Sequence, residues 1–344
     1  MKDKIYSVGI IGCGNIFARH LEAITDNSDC FKLVAIADID KSKVILRSKE
    51  LNVPGFTNYE DMLHEMKGKM DFVVIATPNS FHYEQAIHSL QSGYNILVEK
   101  PICFEAKLVK DIAAQAKKNN LRAYAVLQVR YNPAIQTVKN LLKNSIVGEI
   151  RSVSLIQRWQ RPESYFDSWR ADLHVGGRTL YEVGIHYMDI LQLLFGLPKV
   201  IASSTFSNKH KTIPFEDTVF SILKFPSGAS GSLEVTIASE PRNLECSLSV
   251  MGSRGYIKIG GKALDSIEIA EFSSPSLKTT WDESVTKMTG KIEPNSYGLY
   301  SGSCPNHPTL YKEIANGRGL NLSESINVVK FIEDVYSKEI KNDN

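Results

Sequence analysis

The chain has 344 residues, with 40 basic and 38 acidic side chains, a formal charge of +2 and 43 % hydrophobic residues. This length allows two domains, and the composition is typical of a folded globular protein, which excludes the disordered and fibrous classes. The balanced charge predicts no nucleic-acid partner, and no apolar run reaches the about 18 residues that a membrane span needs. The five cysteines lack the spacing of metal ligands, so we predict no metal site and a cytoplasmic protein.

The first predicted strand, residues 5–11, ends at a glycine turn that is followed by a helical pattern. Gly12 and Gly14 stand in this turn, where glycine lets the backbone approach a pyrophosphate at the start of the helix. Phe17 occupies the third glycine position of the usual fingerprint, so the motif is incomplete. The predicted cofactor-binding residues of the turn are Gly12, Gly14, Asn15 and Ile16.

A second predicted strand, residues 33–37, ends at Asp38, roughly twenty residues after the glycines. A carboxylate at this place accepts hydrogen bonds from the adenosine ribose and repels a 2′-phosphate, which favours NAD over NADP. The alternative is that Asp38 only caps the following helix. Asp40, two residues later, is the weaker candidate for the ribose.

Further strands alternate with helices up to residue 127, which predicts a parallel, doubly wound Rossmann sheet in a domain of residues 1–124. The turn after the strand at 70–76 contributes four more candidate cofactor ligands, namely Thr77, Pro78, Asn79 and His82. Asn79 and His82 fit equally well as ordinary turn and helix-start residues.

The apolar strand at residues 95–98 ends in two adjacent charges, Glu99 and Lys100, before Pro101. In open α/β sheets the ligand crevice lies beyond the carboxyl ends of the strands, so we predict that both charges face a ligand. The alternative is a solvated charge pair in an exposed turn.

From Gly148 onward the chain alternates polar and apolar residues between turn signals. This pattern predicts a second, α+β domain at residues 125–344, with a large, open, mostly antiparallel sheet and a last helix at about 323–338. A sheet of this kind offers a broad face, so we expect a homo-oligomer, either a dimer or a tetramer.

One predicted helix of this domain, residues 178–194, carries Glu182, His186 and Asp189 at positions i, i+4 and i+7. Nearly all its other positions are apolar, and Gly184 lets another group approach beside His186. A histidine is suited to move a proton near neutral pH, so we predict a catalytic stripe. The alternative is a polar stripe that faces water.

Two groups combine arginine with aromatic residues: 158–161 and 168–170. Arginines bind carboxylates or phosphates through two hydrogen bonds, and aromatic rings stack on ligand rings. The alternative is charge at a strand edge beside a core tryptophan.

These motifs, in this order along the chain, resemble the Gfo/Idh/MocA oxidoreductase family. They are Gly12-Cys13-Gly14-Asn15-Ile16, Asp38, Thr77-Pro78-Asn79, Glu99-Lys100-Pro101, and Gly176-Gly177 with Gly184-Ile185-His186 and Asp189. Within that family, residues 128–131, 158–165, 169–170 and 184–189 are most similar to the UDP-N-acetylglucosaminuronate 3-dehydrogenases of bacterial surface-polysaccharide synthesis, including lipopolysaccharide.

The resemblance implies NAD on the Rossmann domain and oxidation of a sugar-nucleotide hydroxyl at C3, with Lys100 and His186 as the catalytic pair. Many relatives carry Asp or Asn where this chain has Glu182, which we retain as a third catalytic candidate. The remaining implied cofactor ligands are Gln128, Trp169 and Arg170. The implied substrate ligands are Lys100, Arg158, Arg161, Tyr165, Glu182, His186 and His307.

Relatives of this group reoxidise their NADH with 2-oxoglutarate, which is therefore an expected electron acceptor. Two other functions remain open. The same scaffold oxidises other sugars or polyols such as inositol, and a chain of this fold can also be an NAD-binding regulator without catalysis.

Overall fold

The structure, a computed structural model, describes residues 4–288 and 306–340 and divides into two compact units. Unit 1 comprises the chain up to Leu127 together with Asn306–Ile326, and unit 2 comprises Gln128–Pro305 together with the chain from Asn327. The predicted domains, 1–124 and 125–344, differ from these units in two places. The Val126 N–H continues the first sheet by donating to the Val98 carbonyl at 2.9 Å, and residues 306–326 return to unit 1.

The helices and strands are numbered along the chain. The strands are β1 (Tyr6–Ile11), β2 (Phe31–Ala37), β3 (Gly55–Phe56), β4 (Phe72–Ile75), β5 (Asn95–Val98), β6 (Ala123–Ala125), β7 (Ile150–Arg158), β8 (Lys199–Phe206), β9 (Thr218–Lys224), β10 (Ser230–Thr236), β11 (Glu245–Gly252), β12 (Gly255–Gly260) and β13 (Ser266–Phe272). The helices are α1 (Phe17–Asp26), α2 (Lys41–Leu51), α3 (Tyr59–Glu65), α4 (His82–Gln91), α5 (Ala106–Lys118), α6 (Pro133–Lys143), α7 (Ile185–Phe195), α8 (Pro275–Thr286), α9 (His307–Ala315) and α10 (Ile326–Ser337).

Unit 1 is built on a six-stranded sheet in the order β3-β2-β1-β4-β5-β6, and all its strand pairs are parallel. The central strands are apolar on both faces, as in Val73, Ile96 and Val98, which have no exposed surface. Burial on both faces is what a parallel sheet covered by helices requires. The predicted doubly wound Rossmann sheet is therefore confirmed.

Unit 2 is built on a seven-stranded sheet in the order β13-β12-β11-β7-β10-β9-β8. Five of its six strand pairs are antiparallel, which confirms a mostly antiparallel sheet, and the central β7–β10 pair is parallel. One face is buried, as at Leu155, Leu233 and Leu248. Polar and apolar residues therefore alternate along the strands, because only one face of the sheet packs on the core.

The helix that carries His186 begins with a π-helical segment, Leu180–Gly184, and continues as α7. A β-carbon built on Gly184 would lie 3.6 Å from the Val235 side chain, so this part of the helix packs closely on β10. π-helical turns are rare and often occur at functional sites. The helix predicted at residues 178–194 ends at Phe195, one residue later than predicted, and is followed by Gly196 with φ +80°.

Within residues 4–288 and 306–340, none of the helices combines the length and the apolar character needed to cross a membrane.

Candidate functional site

The glycine turn of unit 1 lies at the carboxyl edge of the parallel sheet. Gly12 has φ +101°, and a β-carbon there would lie 2.5 Å from the Ala76 carbonyl oxygen, so only glycine fits between β1 and the end of β4. A β-carbon on Gly14 would meet nothing within 4 Å. No side chain caps the start of α1 at Ile16. The turn therefore offers open space and helix-start amides, as dinucleotide phosphates require.

Asp38 follows β2 at the same edge, and two backbone amides hold its carboxylate. Oδ2 accepts a hydrogen bond from the Cys13 N–H at 2.7 Å, and Oδ1 accepts one from the Asp40 N–H at 2.8 Å. The cap of α2 is Asp40, whose side chain accepts from the Ser42 and Lys43 amides. The interpretation of Asp38 as a mere helix cap is therefore wrong, because Asp40 fills that place.

The turn after β4 is tied to the residues after β5. His82 has no exposed surface, and its ring lies between two backbone carbonyls, with Nδ1 2.7 Å from Pro101 O and Nε2 2.9 Å from Thr77 O. The Thr77 hydroxyl donates to Gln85 at 2.6 Å, and Asn79 is buried. Both ring nitrogens of His82 are engaged by backbone, so its side chain supports the turn.

Glu99 is buried at the end of β5, with 6 % of its surface exposed. Its Oε1 lies 3.2 Å from Nε2 of His20 and 3.4 Å from Nε2 of His307, and its Oε2 accepts a hydrogen bond from the Lys100 N–H at 3.0 Å. Burial raises the pKa of the Glu99 carboxyl, but the hydrogen bonds from His20 and His307 outweigh it and hold this pKa well below its usual range. Glu99 is therefore a carboxylate.

The ligand atoms of His20, Glu99 and His307 all lie within 4.8 Å of one another. Two imidazoles and a carboxylate are also a known zinc-ligand set. Here the two Nε2 atoms are at hydrogen-bonding distance from the carboxylate, which already satisfies its charge. The absence of a metal stays a prediction.

In unit 2, a second group of predicted site residues comes together around Glu182. Its Oε1 accepts hydrogen bonds from the Tyr165 hydroxyl at 2.5 Å and from Arg170 Nε at 3.1 Å. The Arg170 guanidinium lies over the rings of Tyr165 and Trp169, at 4.9 and 4.5 Å from their centroids. Glu182 thus links the segment at 165–170 to the π-helical turn.

The two arginines of the first arginine–aromatic group differ in their partners. Arg158 forms a two-fold ion pair with Glu234, at 2.6 and 2.8 Å, and a further one with Glu245 at 2.8 Å. Arg161 is 7 % exposed and stacks between the rings of Trp159 and Tyr165, at 5.0 and 5.2 Å from their centroids.

Within the described ranges, no carboxylate pairs with Arg161. Its guanidinium donates to the Gln160 carbonyl at 2.8 Å, and its Nε has no hydrogen-bond partner there. A buried cation of this kind is costly until an anion reaches it. Arg161 is therefore a candidate anion ligand, and Arg158 is not.

Glu182 and His186 are partly exposed positions in an otherwise buried stretch of helix. Asp189, predicted to share their stripe, is 1 % exposed and instead pairs with Arg130, through hydrogen bonds of 2.6 and 2.7 Å. The predicted polar stripe is therefore not one group, because Asp189 stabilises a buried arginine and, of the three, only Glu182 and His186, the two residues of this helix predicted to be catalytic, are partly exposed. Gln128, a predicted cofactor ligand, is buried at the start of unit 2.

Sequence reasoning missed His20, Tyr311 and Arg130 as members of polar networks. The Tyr311 hydroxyl oxygen lies 2.9 Å from Nδ1 of His20. In the sequence His20 stands at a position of α1 where the helical pattern places apolar residues. Because buried polar side chains are nearly always hydrogen-bonded, this polar residue at a core position was the signal that could have indicated a network. His307, predicted to bind substrate, is 3 % exposed and faces Glu99 in unit 1.

The glycine turn, the carboxylate after β2 and the six-stranded parallel sheet define an NAD-binding oxidoreductase. Two family models match the chain: "Oxidoreductase family, NAD-binding Rossmann fold" at residues 6–127, and "GFO/IDH/MocA C-terminal domain" at residues 135–258. The chain belongs to the Gfo/Idh/MocA oxidoreductase family. It is an NAD-dependent dehydrogenase of the sugar-oxidising type.

Several known proteins are similar over most of the chain. The WlbA dehydrogenase of Bordetella pertussis, crystallised with NADH and UDP-GlcNAcA, is 26 % identical, with a TM-score of 0.85 over 97 % of this chain and 96 % of that one. The trans-1,2-dihydrobenzene-1,2-diol dehydrogenase of Mus musculus is 25 % identical over 74 % of this chain and 73 % of its own length. A levoglucosan dehydrogenase complex with NADH and levoglucosan, at 19 % identity and a TM-score of 0.81 over 97 % of each chain, shows the shared fold.

Proposed function

We propose that this protein oxidises the C3 hydroxyl of UDP-N-acetylglucosaminuronate to a 3-keto sugar, in the synthesis of bacterial surface polysaccharide. The observation that carries the proposal is Arg161, a buried guanidinium without a carboxylate among the described residues. The substrate has a uronate and a diphosphate, and both are anions that an arginine binds through paired hydrogen bonds. The similarity to the WlbA dehydrogenase supports the same substrate class.

The catalytic roles are assigned to Lys100 and His186. His186 takes the proton of the sugar hydroxyl, since an imidazole is the general base suited to neutral pH. Lys100 stabilises the negative charge that develops on the oxygen, as a preorganised cation does in a transition state. NAD, when bound, would supply the acceptor for the hydride of the sugar carbon. The cofactor is held by the residues of the glycine turn, by Asp38 and by the turn after β4.

The remaining roles in substrate and cofactor binding are assigned to residues of unit 2. Arg161 binds the anion of the substrate, and Trp169 and Arg170 border the nicotinamide, as the family resemblance implies. Glu182 is engaged by Tyr165 and Arg170, so we assign it the positioning of those two side chains instead of a proton relay. His307 and His82 support unit 1 from within, and we do not assign them to ligands.

The test compares UDP-N-acetylglucosaminuronate with UDP-N-acetylglucosamine, which lacks the uronate and keeps the diphosphate. Each is added with NAD, and turnover is followed by the absorbance of the reduced nicotinamide. We expect turnover of the acidic sugar alone. Arg161→Gln should raise KM for it by about 10- to 100-fold, the effect of a lost charge-assisted hydrogen bond. Arg158→Gln is the matched control and should leave KM within about twofold. Equal KM values for the two variants would contradict the role of Arg161.

The catalytic pair is tested by Lys100→Met and His186→Asn. Lys100→Met should abolish hydride transfer while NADH still binds, as followed by NADH fluorescence. His186→Asn should lower kcat by about 10²- to 10⁴-fold if the imidazole is the base. Near-normal turnover of either variant would remove that residue from the mechanism.

A second candidate function is oxidation of a neutral sugar, polyol or diol. The similarity to a diol dehydrogenase and a levoglucosan dehydrogenase favours it. Turnover of an unphosphorylated polyol, with no inhibition by uridine diphosphate, would establish this function instead.

Adding 2-oxoglutarate to the reduced enzyme, and following the loss of NADH absorbance, tests the proposed electron acceptor.

We also propose a homo-oligomer, a dimer or a tetramer, formed through the open face of the sheet in unit 2. That face carries large apolar side chains with much of their surface exposed: Phe220 44 %, Ile222 59 %, Met251 56 %, Tyr256 41 % and Ile269 46 %. Exposed apolar area of this kind is typical of association surfaces. Ile222→Asp should lower the mass measured by light scattering to that of the single chain, and an unchanged mass would exclude this face.

A further inference from the structure

The peptide that carries Lys100 is held from both sides by buried histidines of unit 1. On one side, the Lys100 N–H donates to Glu99, and both oxygens of that carboxylate are occupied by His20, His307 and this amide. On the other side, the carbonyl of Pro101 lies 2.7 Å from Nδ1 of His82.

The protonation of this network follows from its partners. Burial raises the pKa of Tyr311 well above its usual value, so its hydroxyl stays protonated and donates to Nδ1 of His20. Burial also lowers the pKa of His20, although Glu99 opposes this, so the ring is neutral. Its hydrogen is then on Nε2 and points at Glu99. The chain of donors runs from Tyr311 through His20 to the carboxylate.

His307 completes the network from a distant part of the sequence. Its Nε2 faces the same Glu99 oxygen, and its buried Nδ1 has no hydrogen-bond partner within the residues that the structure describes. Among the described residues, the His307 side chain therefore forms its hydrogen bond with Glu99.

We propose that Glu99, with His20, His307 and His82, positions Lys100 for catalysis. These four are positioning residues, since Glu99 and His82 contact the backbone of Lys100 and of Pro101, and His20 and His307 hold Glu99. The inference rests on the proposed catalytic role of Lys100. A displacement of about 1 Å at a reacting group can cost as much as 10²-fold in rate, so a support of this kind is consequential.

The test replaces His307 in two ways. His307→Leu removes the donor and keeps an apolar side chain, whereas His307→Gln keeps an amide N–H for Glu99. Asn27→Ala is the control, because it removes a 3.0 Å hydrogen bond between α1 and the carbonyl of Pro308 without touching Glu99. For each variant we measure kcat, KM for NAD, the midpoint of thermal unfolding, and hydrogen exchange of the Lys100 amide.

We expect His307→Leu to lower kcat about tenfold with KM for NAD within about twofold, and to speed exchange of the Lys100 amide about fivefold, the effect of one lost hydrogen bond. His307→Gln should restore both within about threefold. Asn27→Ala should lower the unfolding midpoint and change neither. A purely structural role predicts instead that all three variants lower the midpoint alone, and that result would overturn the inference.

The two proposals fail in different ways. If Lys100→Met retains normal turnover, the proposed mechanism is wrong, and amide exchange still decides whether His307 holds the Lys100 backbone. If Lys100→Met is inactive but His307→Leu leaves kcat and exchange unchanged, only the positioning role is wrong. Stoichiometric zinc in the purified protein, lost in His307→Leu, would also overturn it, because the imidazoles would then bind a metal.

Discussion

Replacement of Asp38 by asparagine tests the assigned basis of cofactor choice. The two oxygens of Asp38 each accept a backbone amide, from Cys13 and from Asp40. An asparagine side chain has one oxygen, so its NH₂ group must face one of these two N–H donors. In the proposed complex the ribose hydroxyls also donate to this carboxylate, and a charge-assisted hydrogen bond of that kind is worth about 1.5–3 kcal/mol, so we expect NADH to bind at least about tenfold more weakly to Asp38→Asn.

The same change removes the repulsion of a 2′-phosphate. That phosphate carries a charge of about −1.5 to −2. At about 5 Å from a half-exposed carboxylate, with an effective dielectric constant of about 40–80, the repulsion is about 1–3 kcal/mol. Asp38→Asn should therefore lower the ratio of the NADPH Kd to the NADH Kd by about five- to 150-fold.

The assay is a fluorescence titration with NADH and with NADPH at low and high salt. Asp40→Asn is the matched control, because it removes the same charge two residues away, and asparagine caps α2 as well as aspartate does. Its Kd ratio should stay within about twofold of the original. At about 1 M salt the effect of Asp38→Asn should shrink, since the screening length is then about 3 Å. An equal shift in both variants, or none in Asp38→Asn, would refute the reasoning.

Three further predictions concern stability, each measured by urea unfolding. Arg130→Met leaves the buried Asp189 carboxylate without its ion pair and should lower the free energy of unfolding by about 3–5 kcal/mol. The double variant Arg130→Met/Asp189→Leu should recover most of this loss, and an equally unstable double variant would contradict the prediction. Burial lowers the pKa of His20 and of His82, so below about pH 6.5 the unfolded chain takes up protons that the folded chain does not. Each histidine should therefore lower the free energy of unfolding by about 1.4 kcal/mol per pH unit below that pH, and His20→Gln should reduce the slope by about this amount. An unchanged slope would contradict the contribution of His20. Glu182→Asp withdraws the carboxylate from the Tyr165 hydroxyl, and a double-mutant cycle with Tyr165→Phe should show a coupling of about 1 kcal/mol, whereas additive effects would exclude the interaction.

Local patterns of the sequence were sufficient for much of the fold. The glycine turn at Gly12 and the helix that carries His186 could both be predicted, because backbone dihedrals and hydrophobic period depend on neighbouring residues. The alternation of strands and helices predicted the parallel sheet, and the pattern after Gly148 predicted the second sheet. The candidates at the ends of β1, β2, β4 and β5 followed from the rule for parallel sheets.

Only the tertiary structure decided the partners of the charged residues. Arg158 and Arg161 are three residues apart and look alike in the sequence, yet one is paired with two glutamates and the other with none in the described ranges. Likewise, Asp189 belongs to the helical stripe by spacing and to Arg130 by contact. Side-chain spacing determines which residues share a face, and packing determines what that face meets.

The network around Glu99 shows most clearly which contacts the sequence could not predict. His20 is 79 residues and His307 is 208 residues from Glu99 along the chain. The sequence by itself determined that a carboxylate and a lysine stand at the end of a buried strand. Only the return of α9 to unit 1 decided that two imidazoles hold that carboxylate, because contacts between distant segments arise from the closing of the chain and leave no periodic signal.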